Sequence, residues 1–166
     1  MNKPIIYQSQ IKDVAFGKDV KIVEPLNIYG CTIGDNTFLG PFVEIQKDVK
    51  IGKNCKIQSH SFICELVTIG DNTIVAHGVM FINDLFATGK PANGDKSLWK
   101  NTNIGNNVSI GSNSTILPVN ICDDVVIGAG SVVTKNINES GIYLGNPAKK
   151  VSLFIKNNLK SKEIKK

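Results

Sequence analysis

Bulky apolar residues recur every six positions along this chain, and this period limits the folds open to it. The series runs through Ile33, Leu39, Ile45, Ile51, Ile57, Ile63, Ile69, Val75 and Phe81, then through Ile104, Ile110, Ile116, Ile121, Ile127 and Val133. An amphipathic helix repeats every three or four residues and a half-buried strand every two, so a period of six fits neither alone. It predicts a short strand followed by a sharp bend.

The remaining positions of the six-residue unit support this prediction. Glycine often follows the apolar residue, a small or β-branched residue lies four positions after it, and polar pairs such as Asp35-Asn36 stand between them. Glycine, asparagine and aspartate tolerate the backbone conformations of tight bends. Three such units predict a triangular coil of about 18 residues, with successive coils stacked in parallel about 4.8 Å apart. Three internal ladders should result: Ile33, Ile51 and Ile69; Leu39, Ile57 and Val75; Ile45, Ile63 and Phe81.

The pattern fails between Phe81 and Ile104 and again near the C-terminus. We predict one domain over residues 1–166, with coils over about 11–140, an excursion loop near 84–103 and a tail over 147–166. Long loops in compact domains are usually functional or disordered, and Trp99 favours a functional loop at a subunit boundary. Pro147 is predicted to begin a short C-terminal helix that caps the last coil through Leu153, Phe154, Ile155 and Leu159.

Composition excludes several classes of function. The chain of 166 residues is 42% hydrophobic and has a net charge of +5, but its apolar runs are too short to span a membrane. Since Met1–Pro4 begins no signal peptide, a cytoplasmic protein is expected. Aromatic and basic residues do not interleave, so no nucleic acid is expected as a partner. None of the four cysteines forms a Cys-x-x-Cys pair, so no zinc site is predicted.

Longer motifs resemble a known family. The segments are Ser59-His-Ser-Phe-Ile-Cys-Glu65, His77-Gly-Val-Met-Phe-Ile-Asn-Asp84, Ile110-Gly-Ser-Asn-Ser-Thr-Ile-Leu-Pro118, Ile127-Gly-Ala-Gly-Ser-Val-Val-Thr-Lys135 and Gly145-Asn-Pro-Ala148. They resemble the left-handed β-helix acyltransferases, and among them the N-acetyltransferases that act on nucleotide-linked 3-amino sugars.

The resemblance implies an all-β, left-handed parallel β-helix that forms a homotrimer with active sites between subunits. It implies acetyl-CoA as co-substrate, no metal, and a dTDP- or UDP-linked 3-amino sugar as acceptor, with dTDP favoured. The product would enter a surface glycan such as lipopolysaccharide O-antigen.

Candidate site residues combine this resemblance with the chemistry of the side chains. The catalytic candidates are His77 and Asn83, because histidine titrates near neutrality and asparagine can hold the amine or the thioester. The substrate-binding candidates are Asp84, His60 and Glu65. The cofactor-binding candidates are Gly111, Gly128, Ala129, Lys135 and Lys149, where small residues admit pantetheine and lysines meet phosphates.

An 18-residue coil predicts where these candidates lie. Ser59 should stack under His77, and Glu65 under Asn83 on the next corner, so the two corners of one subunit should meet only across a subunit interface. Direct attack of the neutral amine on the thioester is predicted, since no Ser-His-Asp set stands at recognisable spacing. Backbone N–H groups near Gly111 or Gly128 are predicted oxyanion donors.

Two alternatives stay open at this point. The acceptor could be a 4-amino sugar, serine or another small amine. The chain could instead be a solenoid without acyl transfer, such as a scaffold or a metal protein of the γ-carbonic anhydrase type, because a trimer would multiply the two histidines.

Overall fold

A computed structural model describes residues 8–151, which form a three-sided prism. Each side is one β-sheet, and all strands pair in parallel except the last one. Sheet A contains, in spatial order, β1 (Ile11–Lys12), β4 (Asn27–Tyr29), β7 (Glu44–Ile45), β10 (Phe62–Ile63), β13 (Met80–Phe81), β16 (Thr115–Ile116) and β19 (Val132–Val133). Sheet B contains β2 (Ala15–Phe16), β5 (Thr32–Ile33), β8 (Lys50–Ile51), β11 (Val67–Ile69), β14 (Thr102–Ile104) and β17 (Asn120–Ile121). Sheet C contains β3 (Lys21–Ile22), β6 (Phe38–Leu39), β9 (Lys56–Ile57), β12 (Ile74–Val75), β15 (Ser109–Ile110), β18 (Val125–Ile127), β20 (Gly141–Leu144) and β21 (Lys149–Lys150). The predicted all-β, left-handed parallel β-helix is confirmed.

The three predicted ladders are present in the sheets. Ile33 pairs with Ile51 and Ile51 with Ile69 in sheet B. Leu39, Ile57 and Val75 follow one another in sheet C. In sheet A Ile45 pairs with Ile63, and the next rung brings Phe62 beside Met80. Partners lie 18 positions apart in these coils. Ile28 and Ile45, and Ile104 and Ile121, lie 17 apart, so the coil between the members of each pair is one residue shorter.

The interior of the prism is apolar, with a few satisfied hydroxyl groups. The ladder residues from Ile28 to Val133 expose at most a few per cent of their surface. Buried hydroxyls donate to carbonyls of the next coil, as Thr37 Oγ1 does to the Gly52 carbonyl oxygen at 3.0 Å and Ser61 Oγ to that of Ala76 at 2.9 Å. Within residues 8–151 every buried side-chain nitrogen or oxygen has a hydrogen-bond partner. The polar groups in the core therefore do not destabilise it.

The predicted excursion loop leaves the prism after β13 and returns at β14. It spans residues 82–101 and contains a single 3-10 turn, Lys96–Leu98, capped by the Asp95 side chain. Ile69 nevertheless pairs directly with Ile104 across this segment. The loop therefore extends one corner of the prism without interrupting sheet B.

The C-terminal helix predicted to begin at Pro147 does not begin there. Residues 145–148 form a turn, and β21 returns antiparallel to β20, pairing Leu144 with Lys149. The last coil would otherwise expose unpaired backbone groups, and a returning strand supplies partners for them directly. The rest of that predicted helix, with Leu153, Phe154, Ile155 and Leu159, lies outside the described residues. Over residues 8–151 the structure contains no helix that is long and apolar enough to cross a membrane.

Candidate functional site

Two corners of the prism flank sheet A and carry the predicted site residues. The corner between sheets C and A, which we call the histidine corner, carries Ser59, His60, His77, Gly111, Gly128 and Ala129. The corner between sheets A and B, which we call the loop corner, carries Glu65, Asn83, Asp84, Lys135 and the excursion loop. Strands β10 and β13 connect the two corners, so His60 and His77 lie apart from Glu65 and Asn83 within one chain, as the 18-residue coil predicts.

Serine and histidine side chains contact one another at the histidine corner. Ser59 Oγ lies 2.8 Å from His77 Nδ1, one coil apart, as their spacing predicts. His60 is exposed, has a φ of 62°, and stacks on Phe42 with 4.9 Å between ring centroids. The turns of other coils have a positive φ at the same position, as at Phe42 and Leu66, so this conformation of His60 belongs to the repeat. Ser59 was not among the predicted site residues, although its spacing from His77 pointed to it.

The small residues predicted to bind CoA continue the same corner above His77. A Cβ on Gly111 would collide with the backbone of Ala129, and one on Gly128 would lie 2.8 Å from Leu144 Cβ. Both glycines are therefore required for the coils to stack, whatever else they contact. Their N–H groups donate to Ile127 and Tyr143 carbonyl oxygens at 2.8 Å each. The ladders already use these two N–H groups, so a backbone oxyanion donor near Gly111 or Gly128 would have to be an N–H group of a neighbouring residue in the turn.

The two predicted phosphate-binding lysines lie apart from those glycines. Lys135 is exposed at the loop corner, between β19 and the bridge that Ile137 makes with Ile121. Lys149 is exposed in β21, just after the turn whose Ala148 N–H donates to the Val132 carbonyl oxygen at 2.8 Å. Of these two lysines, Lys149 therefore lies next to the histidine corner of its own chain, and Lys135 does not.

An ion pair joins the excursion loop to the loop corner. Lys96 Nζ donates to Glu65 Oε2, and its ammonium also lies 5.4 Å from the centroid of the Trp99 ring. The Glu65 side chain is only 13% exposed, against 54% for Lys96. The hydrogen bond to Glu65 raises the pKa of Lys96. Sequence alone could not indicate Lys96, because the excursion loop lies outside the six-residue repeat and its path cannot be predicted from that repeat.

Asn83 and Asp84 have different neighbours although they are adjacent in sequence. Asn83 Nδ2 donates to the Glu65 carbonyl oxygen at 3.2 Å, which leaves the Asn83 side-chain oxygen directed elsewhere. Asp84 accepts from the Phe86 N–H at 2.9 Å and from the Ala92 N–H at 2.8 Å. Asp84 thus organises the loop through both carboxylate oxygens, whereas the Asn83 side chain contacts the preceding coil.

Burial also raises the pKa of ionisable groups around the loop corner. The pKa of Tyr29 is raised by burial and then by the nearby carboxylates of Glu44 and Glu65. Burial raises the pKa of the Cys64 thiol to about 12. Cys64 is therefore a protonated, buried thiol near neutrality, as expected for a cysteine of the core.

A cleft of about 630 Å³ lies on the outer face of sheet C, below the histidine corner. The residues that line it are Asp19, Lys21, Asn36, Phe38, Asn54, Cys55, Lys56 and Gln58. Its volume is typical of small-molecule sites. It ends at Gln58, immediately before Ser59, so it approaches the histidine corner but does not include His77. No group of three or more potential metal ligands was found among residues 8–151.

Comparisons with known proteins agree with the repeat and the fold. The family model described as bacterial transferase hexapeptide (six repeats) matches residues 30–65, and the one described as hexapeptide repeat of succinyl-transferase matches residues 101–135. The bifunctional protein GlmU of Clostridium botulinum is 36% identical over 145 residues, which covers 82% of this chain. The chain spans only 31% of the length of that relative.

Solved structures share the solenoid at low sequence identity. AntD, an N-acyltransferase from Bacillus cereus in complex with dTDP and 3-hydroxybutyryl-CoA, aligns with a TM-score of 0.71 and 23% identity, covering 84% of this chain and 81% of AntD. A hexapeptide-repeat acetyltransferase from Vibrio cholerae, complexed with acetyl-CoA, aligns at 0.61 and 21%, covering 74% of this chain and 70% of its own. The repeat matches on both sides of the excursion loop, together with this shared fold, show that the chain is a hexapeptide-repeat, left-handed β-helix protein.

Proposed function

We propose that this chain is an acetyl-CoA-dependent N-acetyltransferase that acetylates the 3-amino group of a dTDP-linked 3-amino-deoxyhexose. The observation that carries the proposal is that His77 shares one corner with the small residues Gly111, Gly128 and Ala129. A pantetheine chain that follows this corner would bring its thioester to His77. AntD, which has the same fold, was solved with both dTDP and an acyl-CoA.

The reaction is a direct transfer between the two substrates. The neutral sugar amine attacks the thioester carbonyl carbon, the new C–N bond forms, the C–S bond breaks and the CoA thiolate leaves. The amine nitrogen then loses a proton to water or to a nearby base. Positioning supplies much of the rate enhancement in such reactions, because holding two reactants together removes an entropic cost of up to roughly 7–11 kcal/mol.

The loop corner is proposed to bind the amino sugar. The Asn83 side-chain oxygen accepts a hydrogen bond from the amine, while Glu65 and Asp84 shape the surrounding surface. Lys135 of that corner and Lys149 meet CoA phosphates. Since the two corners lie at opposite ends of β10 and β13, a complete site combines the histidine corner of one subunit with the loop corner of another.

A homotrimer is proposed because the three outer faces of the prism differ in polarity. From β5 to β17 the outward residues of sheet B are polar: Thr32, Lys50, Thr68, Asn103 and Asn120. Sheets A and C carry apolar outward residues, Phe62 and Met80 on sheet A and Ile74 and Val126 on sheet C, beside polar ones such as Glu44 and Ser109. Exposed apolar patches mark interaction sites, so copies of the chain would pack through sheets A and C and leave sheet B in water.

The decisive assay follows CoA thiol release with acetyl-CoA and a panel of dTDP- and UDP-linked 3-amino and 4-amino sugars, with serine as a further acceptor. We expect turnover with a dTDP-3-amino sugar. His77→Ala and Asn83→Ala should each lower kcat/KM by roughly 10²–10³-fold, as loss of one transition-state hydrogen bond does. Asn103→Ala on sheet B is the matched control and should keep full activity. Full activity of both site variants would contradict the proposal.

The cleft on sheet C is proposed to receive the nucleotide end of the acceptor. Phe38 stands between Lys21 and Lys56 on adjacent rungs, and neither lysine is in an ion pair among the described residues. A base can stack on the phenyl ring while the ammonium groups meet phosphates.

Replacing Phe38 with Ala should therefore raise KM for the sugar nucleotide by about tenfold, since stacking contributes about 1–3 kcal/mol per base. KM for acetyl-CoA should not change, and Thr32→Ala on sheet B serves as the control. A higher KM for acetyl-CoA alone would assign the cleft to CoA instead.

The product is proposed to serve surface glycan synthesis in the cytoplasm. A 4-amino sugar, serine or another small amine as the preferred acceptor would keep the family chemistry and change only the loop-corner assignment. A metal-binding or scaffold protein would show no turnover with any acceptor, and metal analysis of the purified protein would separate those two.

A further inference from the structure

The Ser59–His77 contact at the histidine corner is held by the backbone on both sides. The Gly78 N–H donates to the Ser59 carbonyl oxygen at 3.0 Å, and the Asn113 N–H donates to that of His77 at 2.9 Å. Ser59 Oγ and His77 Nδ1 therefore face each other across one rung at 2.8 Å. His77 is exposed, so its other ring nitrogen, Nε2, is accessible to a ligand.

The direction of this hydrogen bond decides which ring nitrogen carries a hydrogen. In a neutral imidazole one nitrogen donates and the other accepts, and the partner of one fixes the role of the other. Ser59 Oγ makes no other hydrogen bond within residues 8–151. Donation from the serine hydroxyl to Nδ1 satisfies both groups at once, whereas the reverse arrangement leaves the hydroxyl hydrogen without a protein acceptor.

We propose that Ser59 donates to His77 Nδ1 and thereby keeps the hydrogen on Nε2, so that His77 acts as a hydrogen-bond donor to the thioester oxygen. Ser59 is then a positioning residue and His77 an oxyanion donor. This inference rests on the proposed acyl transfer. It assigns His77 a role opposite to that of a general base, which needs a bare Nε2.

The chemistry of the transfer favours a donor at this position. The N–H groups of Gly111 and Gly128, on the same corner, already donate to the next coil, so these two groups are not available to an oxyanion. As the amine attacks, the carbonyl electron pair moves onto oxygen, and a fixed N–H beside that oxygen lowers the barrier. The amine proton can pass to water after the C–N bond forms, so the step balances without a protein base. Neutral histidine acts as an electrophilic donor in other enzymes.

The tautomer can be measured without any assay of activity. With only two histidines in the chain, long-range ¹H–¹⁵N NMR at a pH where both rings are neutral resolves each ring nitrogen. We expect His77 Nδ1 to show a pyridine-like shift and Nε2 a pyrrole-like shift. In Ser59→Ala the two shifts of His77 should move towards each other as the tautomers mix, while His60 stays unchanged as the internal control. A pyrrole-like Nδ1, or the same shifts in both proteins, would overturn the inference.

Kinetics then separate a donor from a base. His77→Gln retains an N–H donor but cannot take up a proton, so it should lie within about tenfold of the wild type, while His77→Ala loses roughly 10²–10³-fold in kcat. Ser59→Ala should lower kcat by about tenfold with KM unchanged, and Ser59→Thr should restore it. A glutamine variant no better than the alanine variant would overturn the donor role. A wild-type protein that has the expected tautomer but transfers no acyl group would contradict the proposed function alone.

Discussion

Single side chains decide how the excursion loop is attached to the prism. The Lys96–Glu65 pair joins an exposed cation to a carboxylate that the corner largely covers. Removal of the cation leaves that carboxylate without a partner, which costs more than the pair contributes. The contact is therefore more informative about the position of the loop than about the stability of the whole chain.

Lys96→Met should loosen the loop. We expect faster proteolytic cleavage within residues 82–101 in this variant, because the Glu65 carboxylate is left partly buried and unpaired. The double variant with Glu65→Gln should be cleaved more slowly than Lys96→Met alone, since the uncompensated charge is gone. Lys100→Met, which changes an exposed lysine at the end of the same loop, is the matched control.

The same pair gives the loop a pH dependence. Because the pKa of Lys96 is raised above its ordinary value of 10.5, the pair is complete at neutral pH and is lost as the pH rises through that higher pKa. Wild-type cleavage should therefore accelerate only in strongly alkaline solution. Cleavage that is equally fast in wild type and Lys96→Met at neutral pH would contradict this attachment.

At the level of structural elements, the corner between sheets B and C is built from a column of side-chain caps. Asp35 accepts from the Lys18 N–H, Asp71 from that of Lys53, and Asp123 from that of Asn106, at 2.7–2.8 Å. These contacts lower the pKa of Asp123, chiefly through the backbone N–H of Asn106. The column fixes each bend in the way that a cap fixes a helix end.

Asp123 is expected to contribute stability that depends on pH. Because its pKa is lowered from the ordinary 3.8, the contribution is present above that value and is lost as the pH falls through the folded pKa. Asp123→Ala should lower Tm at pH 7. Asp123→Asn keeps an acceptor oxygen, so it should remain close to the wild type at pH 7 and lose less Tm than the wild type at about pH 3. Equal Tm values for the alanine variant and the wild type would contradict this role.

The elements of the prism could be predicted from sequence, whereas its terminal element could not. Each inward ladder follows from a period of six, because every coil repeats the same pairing. Pro147 suggested a helix start, but the open end of the last coil needs hydrogen-bond partners, and Val151 provides one by donating to the Ile142 carbonyl oxygen at 2.9 Å. The need for these hydrogen-bond partners arises from the tertiary structure, and no local sequence motif indicates it.

At the candidate site, too, the contacts that follow from the repeat could be predicted from sequence, and those of the loop could not. The stacking of Ser59 under His77, and of Glu65 under Asn83, could be predicted from an 18-residue coil. The Lys96 contact with Glu65 and the two loop N–H groups bound by Asp84 could not, because they depend on how an irregular segment folds back. The N–H groups of Gly111 and Gly128 are already paired in the ladder, and a period of six alone does not tell which N–H groups of a turn are paired in this way.

For the whole molecule, the difference between the outer faces predicts which of them associate. Met80→Lys places a charge on the apolar face of sheet A, and burial of an unpaired charge is strongly unfavourable. We expect sedimentation analysis to show a trimer for the wild type and a monomer for Met80→Lys. Thr68→Lys, on the outer face of β11 in sheet B, should remain trimeric. A monomeric wild type, or dissociation by Thr68→Lys, would contradict this arrangement.

The direct pairing of Ile69 with Ile104 has a consequence for how such a protein diversifies. The polypeptide between these two residues can lengthen, shorten or change composition while every rung of the prism keeps its neighbour. With the acceptor bound at the loop corner, as proposed, recognition of a new acceptor would require exchange of one surface segment only, and the scaffold would be inherited intact. Descendants of one ancestor could therefore differ widely in what they modify and still be superimposable in their interiors.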